Sequence, residues 1–238
     1  MRLAAFLLPL ALLTAVPASF AQDGDPPVED PPPSPRSLDA RLIRSINEID
    51  DPAFSAYMRA ADWTSLKTFY SIAPLMAAAA VATGSEIDPP LQMAASELAT
   101  VAIVFGAKWA LRRPRPYAAA IGVQKRTPGA PGDEFDPYSF PSGHSAMAFS
   151  VATSLSLAYP KWYVVAPSYL WATSIAVSRN WLGVHYPSDV LVGALVGTGV
   201  SFGVFLIFEA LESAADGGDD DAPDPLGTPP MVSFRIGL

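Results

Sequence analysis

The chain carries two histidines in 238 residues, and each stands among residues that can handle an anion. Residues 178–189 read Ser-Arg-Asn-Trp-Leu-Gly-Val-His-Tyr-Pro-Ser-Asp. His185 and Asp189 are four apart, which is one turn if the segment is helical. A carboxylate at that spacing can hold one imidazole nitrogen as a donor and leave the other free to attack an electrophile. Arg179 is placed to meet a negative charge. A helix end followed by a polar loop, with a histidine that only packs, fits the same residues.

The second histidine lies in Phe140-Pro141-Ser142-Gly143-His144-Ser145, directly before an apolar run. A helix start there exposes unpaired backbone N–H groups and a partial positive charge, which suits an anion. Gly143 lets the backbone approach closely, Ser142 adds a hydroxyl, and His144 stands where it can hand a proton to a leaving group. An ordinary capping turn, with Ser142 or Ser145 as the cap, accounts for the serines equally well. A third cluster closes another apolar run. Lys108, Arg112 and Arg115 are spaced four and then three, so on a continuous helix they share a face. Arg113 adds charge beside them, and Pro114 and Pro116 end or kink the helix. Such a face can hold a phosphate through charge-assisted hydrogen bonds. Basic side chains snorkelling at the end of a membrane helix give the same pattern.

The elements that must position these clusters follow from apolar periodicity. Ser37 or Asp39 can cap an amphipathic helix starting near Ala40, with Leu42, Ile43, Ile46 and Ile49 at helical spacing. Asp50-Asp51-Pro52 breaks it, and a second amphipathic piece covers residues 53–61. Five apolar segments then read as helices, at residues 69–83, 91–111, 145–159, 162–177 and 190–211. The third and fourth are joined only by Pro160-Lys161, a tight helical hairpin. Gly193, Gly197 and Gly203 in the last would allow close helix approach. Strand signals are scarce, so the expected fold is all-α, a bundle of five core helices preceded by one or two amphipathic ones. Followed up and down, the bundle brings all three polar clusters to one end.

Composition narrows the function. The chain is 50% hydrophobic and 16% charged, with the polar residues concentrated in its tails, so the middle is more apolar than the average. There is no cysteine, which excludes disulfides, thiolate metal sites and a cysteine nucleophile. Two histidines also argue against a multi-histidine zinc centre. A net charge of −8 argues against a nucleic-acid partner. Residues 1–21 read as a secretory signal peptide: Arg2, an apolar run, and small residues before Gln22. Residues 22–38 form a proline- and acid-rich linker. Residues 39–211 form the helical domain, and residues 212–238 an acidic tail with a possible short strand at its end.

Together the clusters resemble the type-2 phosphatidic acid phosphatase superfamily, which includes class A acid phosphatases and vanadium haloperoxidases. Its pattern is Lys-x6-Arg-Pro, then Pro-Ser-Gly-His, then Ser-Arg-x5-His-x3-Asp. Here it stands as Lys108 to Arg115-Pro116, Pro141 to His144, and Ser178-Arg179 to His185 and Asp189, complete and in order. The resemblance implies that His185 is a nucleophile forming a phosphohistidine and that Asp189 orients it. It implies that Lys108, Arg115, Arg179, Ser142 and the Gly143 N–H bind phosphoryl oxygens, and that His144 protonates the leaving oxygen. A metaphosphate-like transition state needs mostly positioning and positive charge. Three cations and a helix N-terminus supply that charge, so no metal or other cofactor is expected.

The implied activity is hydrolysis of a phosphomonoester or pyrophosphate, with a lipid as the favoured substrate. Undecaprenyl pyrophosphate, phosphatidylglycerophosphate, phosphatidic acid and lipid A phosphates are the candidates. Arg112 and Arg113 point weakly towards a doubly charged head group. A soluble periplasmic acid phosphatase acting on small esters, a vanadate-dependent haloperoxidase and a non-enzymatic membrane bundle are the alternatives. The apolar core and tight hairpin favour embedding; with the signal cleaved, five spans would put the active-site loops outside, so the expected location is a bacterial inner membrane with the site facing the periplasm. Two observations weigh against embedding: several segments are short for a span, and the basic residues sit on the active-site side, against the positive-inside rule.

Overall fold

The computed structural model describes residues 33–119, 121–126 and 136–216. The expected signal peptide, most of the linker and the end of the acidic tail lie outside these residues. Six α-helices and one 3₁₀ turn are present among them, and no strand. They are α1 (Leu38–Asn47), α2 (Pro52–Thr83), α3 (Asp88–Leu111), a 3₁₀ turn (Pro116–Ala118), α4 (Gly143–Ala158), α5 (Trp162–Trp181) and α6 (Pro187–Asp216).

Local chemistry sets most of the boundaries. Ser37 caps α1 by accepting from the Ala40 N–H at 3.1 Å, so of the two candidate caps the serine takes the role. Asp51 caps α2 through the Phe54 N–H at 2.7 Å, with Pro52 in the first turn. Gly84 ends α2 in the left-handed conformation, at φ 67°. The expected break between residues 61 and 69 does not occur, and α2 runs unbroken for 32 residues. Residues 62–68 are polar but hold neither glycine nor proline. The Thr64 and Ser65 hydroxyls fold back onto the Ala61 and Asp62 carbonyls, which keeps them compatible with a helix. Polarity there marks surroundings rather than an end. Helix α6 also continues beyond residue 211, to Asp216.

The bundle is packed from small residues. Helices α4 and α6 meet through Gly193 and Gly197: a side chain on Gly193 would strike the Ser142 carbonyl, and one on Gly197 the Ala146 carbonyl. Gly203, expected to serve likewise, faces open space. Alanines and hydroxyls line the interior, including Ala146, Ala148, Ala152, Ala172, Ser96, Ser145, Ser150 and Ser201. Ser150 and Ser201 hydrogen-bond across the α4–α6 contact at 2.8 Å. Large apolar side chains point outward instead, among them Leu75, Val81, Ile103, Leu195 and Ile207. Small and hydroxyl residues inside with leucines outside is the arrangement of helices packed in lipid. Helices α2, α3 and α6 are long and apolar enough to cross a membrane. Helix α4, at 16 residues, is about 24 Å long.

Successive long helices alternate in direction. The starts of α2, α4 and α6 therefore lie with the ends of α3 and α5, at the end where α1 also packs. There Ala40 and Ile43 of α1 join Ile121, Val123 and Tyr186 in one buried cluster.

Candidate active site

Lys108, in the last turn of α3, is buried and donates to the Tyr138 carbonyl at 2.6 Å. The helix stops three residues later, and Arg112 takes a left-handed conformation at φ 46°. That turn defeats the expected single basic face. Arg112 points away, donating to the Trp109 carbonyl and lying over the Trp109 and Tyr138 rings. Arg115 sits in extended backbone after the helix and reaches back inward. Its guanidinium donates to the Val184 carbonyl at 3.2 Å and to the Asp136 carbonyl at 2.7 Å. Lys108 and Arg115 converge on one carboxylate, with Lys108 Nζ 3.0 Å from Asp136 Oδ1 and Arg115 Nη2 3.3 Å from Oδ2. The pair therefore holds two oxygens of a single anionic group.

Arg179 is buried in the last turn of α5 and pairs with Asp62 of α2, while its Nε has no hydrogen-bond partner among the described residues. Ser142 is the N-cap of α4 and accepts from the Ser145 N–H, so Gly143 is the first residue of that helix. Its own N–H donates to the Asp189 carbonyl at 3.0 Å, tying the start of α4 to the start of α6. His144 follows in the first turn, edge-on to Phe69.

His185 lies in the turn between α5 and α6, not on a helix with Asp189. Gly183 makes this turn possible: it sits at φ 78°, and a side chain there would strike the Gln124 carbonyl. His185 Nδ1 is 2.6 Å from the Ser139 carbonyl oxygen. That oxygen can only accept, so Nδ1 carries the proton and Nε2 keeps a lone pair. Asp189 Oδ2 stands 3.8 Å from Nδ1 and instead accepts the Tyr186 N–H at 2.8 Å, as a capping residue of α6. Direct orientation of His185 thus comes from a backbone carbonyl, which no side-chain pattern can reveal. Burial, then the positive charges of Arg115, Lys108 and Arg179, pushes the His185 imidazole well below its ordinary 6.5. It is neutral at neutral pH. His144 also lies within range of its charge.

All eight residues expected at the site therefore gather at one end of the bundle. Helix ends supply Lys108 and Arg179, helix starts supply Ser142, Gly143, His144 and Asp189, and loops supply Arg115 and His185. The sequence reading missed the acidic partners. Asp136 and Asp62 each face a site cation, and a lone aspartate carries no signal without its neighbours in space.

A family model described as the PAP2 superfamily matches residues 89–212, just over half of the chain. The chain belongs to the PAP2 superfamily. The matched PAP2 segment runs from the start of α3 into α6, and the whole of α1 and α2 lies outside it. The chain is 35% identical over 104 residues to the undecaprenyl-diphosphatase of Sulfolobus acidocaldarius, covering 43% of this chain and 48% of that protein. It is 32% identical over 88 residues to the lipid A 4'-phosphatase of Bacteroides thetaiotaomicron, covering 37% and 38%. The matches thus span less than half the length of these curated relatives. In three dimensions the PAP2 chain resembles the crystal structure of Aquifex aeolicus LpxE, at a TM-score of 0.60 and 26% identity, covering 71% of this chain and 95% of that one.

Proposed function

We propose that the protein is a metal-independent phosphatase that hydrolyses a phosphomonoester or pyrophosphate of a membrane lipid through a phosphohistidine. One observation carries this reading: a buried, neutral His185 whose Nδ1 is held by the Ser139 carbonyl, within the field of Lys108, Arg115 and Arg179, at the end of a bundle whose outer surface is apolar. The named relatives that act on lipid phosphates support the substrate class.

The substrate phosphoryl group displaces Asp136 and lies between Lys108 and Arg115, with Arg179, the Ser142 hydroxyl and the Gly143 N–H on its remaining oxygens. His185 Nε2 attacks phosphorus as the bond to the leaving oxygen breaks, and His144, which enters the step protonated beside the bound phosphoryl anion, delivers its proton to that oxygen and is left neutral. Water then attacks the phosphohistidine, passing a proton to His144. Inorganic phosphate departs and Nε2 is free again. Developing charge is met by side chains and a helix N-terminus, so no step calls for a metal ion. We place the protein in a bacterial inner membrane, with the site on the periplasmic side.

The test is phosphate release by detergent-purified protein in EDTA, from undecaprenyl pyrophosphate and from p-nitrophenyl phosphate. Faster release from the lipid, with an acid-labile phosphoprotein trapped from the wild type and absent in His185→Ala, is the expected result. Preference for the small ester from a soluble fraction would instead identify a periplasmic acid phosphatase.

A further inference from the structure

Both oxygens of Asp189 are engaged away from His185, and this opens a question about what holds that carboxylate. Asp189 is fully buried. Its Oδ2 accepts the Tyr186 N–H, and its Oδ1 accepts Arg113 Nη1 at 2.5 Å. The same Nη1 donates to the Ser188 hydroxyl at 2.7 Å, and Nη2 donates to Asp39 Oδ2 at 2.7 Å. Asp39 also takes the Ser188 N–H on Oδ1 at 3.0 Å, and its Oδ2 accepts the Ser188 hydroxyl. The Arg113 guanidinium lies 4.0 Å from the centre of the Tyr186 ring. One arginine fork thus joins a carboxylate of α1 to the first turn of α6, across the turn that carries His185.

We infer that Asp39 is a positioning residue of the active site, acting through Arg113 and Ser188 to fix Asp189 and the turn holding His185. Asp39 lies outside the segment that matches the family, on a helix to which neither the motifs nor the proposed mechanism assigns a task. Helix α1 is well anchored for that role. Asn47 donates to the Trp181 and Gln124 carbonyls at 2.8 and 3.0 Å, and Ile43 is fully buried. Burial acts to raise the Asp39 carboxyl, but the hydrogen bonds from Arg113 and Ser188 outweigh it, and its net shift is downward. Asp39 is therefore ionised in the folded protein, and it shares the Arg113 guanidinium with Asp189. This also corrects the expectation for Arg113. Its donors face Asp39, Ser188 and Asp189, so it is not available to a substrate head group.

The inference rests on the phosphatase reading for its kinetic effect, but not for its structural one. Asp39→Asn keeps the shape and removes the charge. Expected are retained helicity, a kcat lower by about 10- to 100-fold, the scale on which partners one layer out from a reactive group act, and little change in KM. With only two histidines, [15N]histidine labelling resolves the His185 Nδ1–H directly, assigned with His144→Gln. Its solvent exchange should quicken about tenfold in Asp39→Asn as the turn loosens. Asp39→Glu should restore part of both losses, and Arg113→Lys, which keeps charge but loses the fork, should reproduce them. Unchanged exchange and unchanged kcat in folded Asp39→Asn would overturn the inference. So would unchanged exchange in Arg113→Lys if Asp39→Asn does not fold. Faster exchange in a protein whose wild type releases no phosphate would support the clamp and remove the phosphatase reading.

Discussion

At His185 the Nδ1 proton is committed to the Ser139 carbonyl, so a phosphoryl group can meet only Nε2. Proton uptake at Nε2 would place a cation beside Arg115, Lys108 and Arg179 in a buried site, and this holds the folded value well below 6.5. Because the shift is downward, the neutral nucleophile persists above the folded value and is lost only as pH falls through it. On the proposed mechanism, the acid limb of kcat/KM should therefore fall well below pH 6.5. Measuring it below about pH 5, where a phosphomonoester with a second pKa near 6 is already mainly the monoanion, separates it from substrate ionisation. A limb at 6.5 would mean that His185 is not the group whose neutral form is required. His185→Ala should lower kcat by at least about 10⁴-fold, the scale seen when a nucleophile is removed. Asp136 makes a prediction of the opposite sign. Its carboxylate occupies the cations that bind substrate on the proposed mechanism, so Asp136→Asn should lower KM for phosphate esters by roughly threefold to tenfold. That corresponds to a partly exposed ion pair of about 1 kcal/mol. A raised KM would show that Asp136 instead holds Lys108 and Arg115 in place. The side chains that gather at this end of the bundle were legible in the sequence because each type and spacing has a chemical reading. Asp136, Asp62 and the Ser139 carbonyl were not, since their meaning comes from neighbours distant in sequence.

Among the helices, α4 and α6 carry the closest approach and also the most site residues at their starts. A methyl group at Gly197 meets the Ala146 carbonyl and the Ser150 N–H, both backbone, which cannot move aside as a side chain does. Gly197→Ala should therefore cost about 1–3 kcal/mol or more through overpacking. Gly203→Ala, facing open space, should be neutral or gain up to about 1 kcal/mol from helix propensity. Thermal unfolding in detergent checks both, and equal effects would show that the helices do not meet as described. Gly197→Ala should also reduce activity, because any shift between the helices moves Ser142 and Gly143 relative to Asp189. Element boundaries were readable where a cap or a proline marks them, as at Ser37 and at Asp50-Asp51-Pro52. They were misread at residues 62–68, where a polar stretch looks like a linker until the partner helix is known. Trp171 Nε1 donates to Thr64 there, and Asp62 meets Arg179. The polarity of that stretch serves the α2–α5 contact and the site. The glycines show the same limit, because the sequence offers three alike and only packing separates Gly193 and Gly197 from Gly203.

Three of the five long helices, α2, α3 and α6, are long and apolar enough to cross a membrane; on the proposed reading all five cross, an odd number of passes that puts the two ends of the described chain on opposite faces. Ser34, ahead of α1, is exposed at the site end, and Ser213, near the end of α6, is exposed at the other. The bundle's apolar exterior requires lipid or detergent between those faces. Leu75, Val81, Leu195 and Ile207 would otherwise each meet water over more than half their surface. The absence of cysteine makes this directly measurable. Ser34→Cys and Ser213→Cys each place a single thiol in an otherwise unreactive chain. In right-side-out vesicles a membrane-impermeant maleimide should label Ser34→Cys at once and Ser213→Cys only after permeabilisation, which would put the site on the outer face. The reverse order would keep the five passes and turn the site inward, against a periplasmic substrate. Equal labelling of both would mean an even number of passes, and α4, the shortest of the long helices, would be the first candidate for one that fails to cross. Helix α1 bears on the same measurement. It stands over the site end, with Leu38, Leu42 and Arg41 exposed, so on the proposed function the face labelled at Ser34→Cys is also the face from which the lipid head group reaches His185.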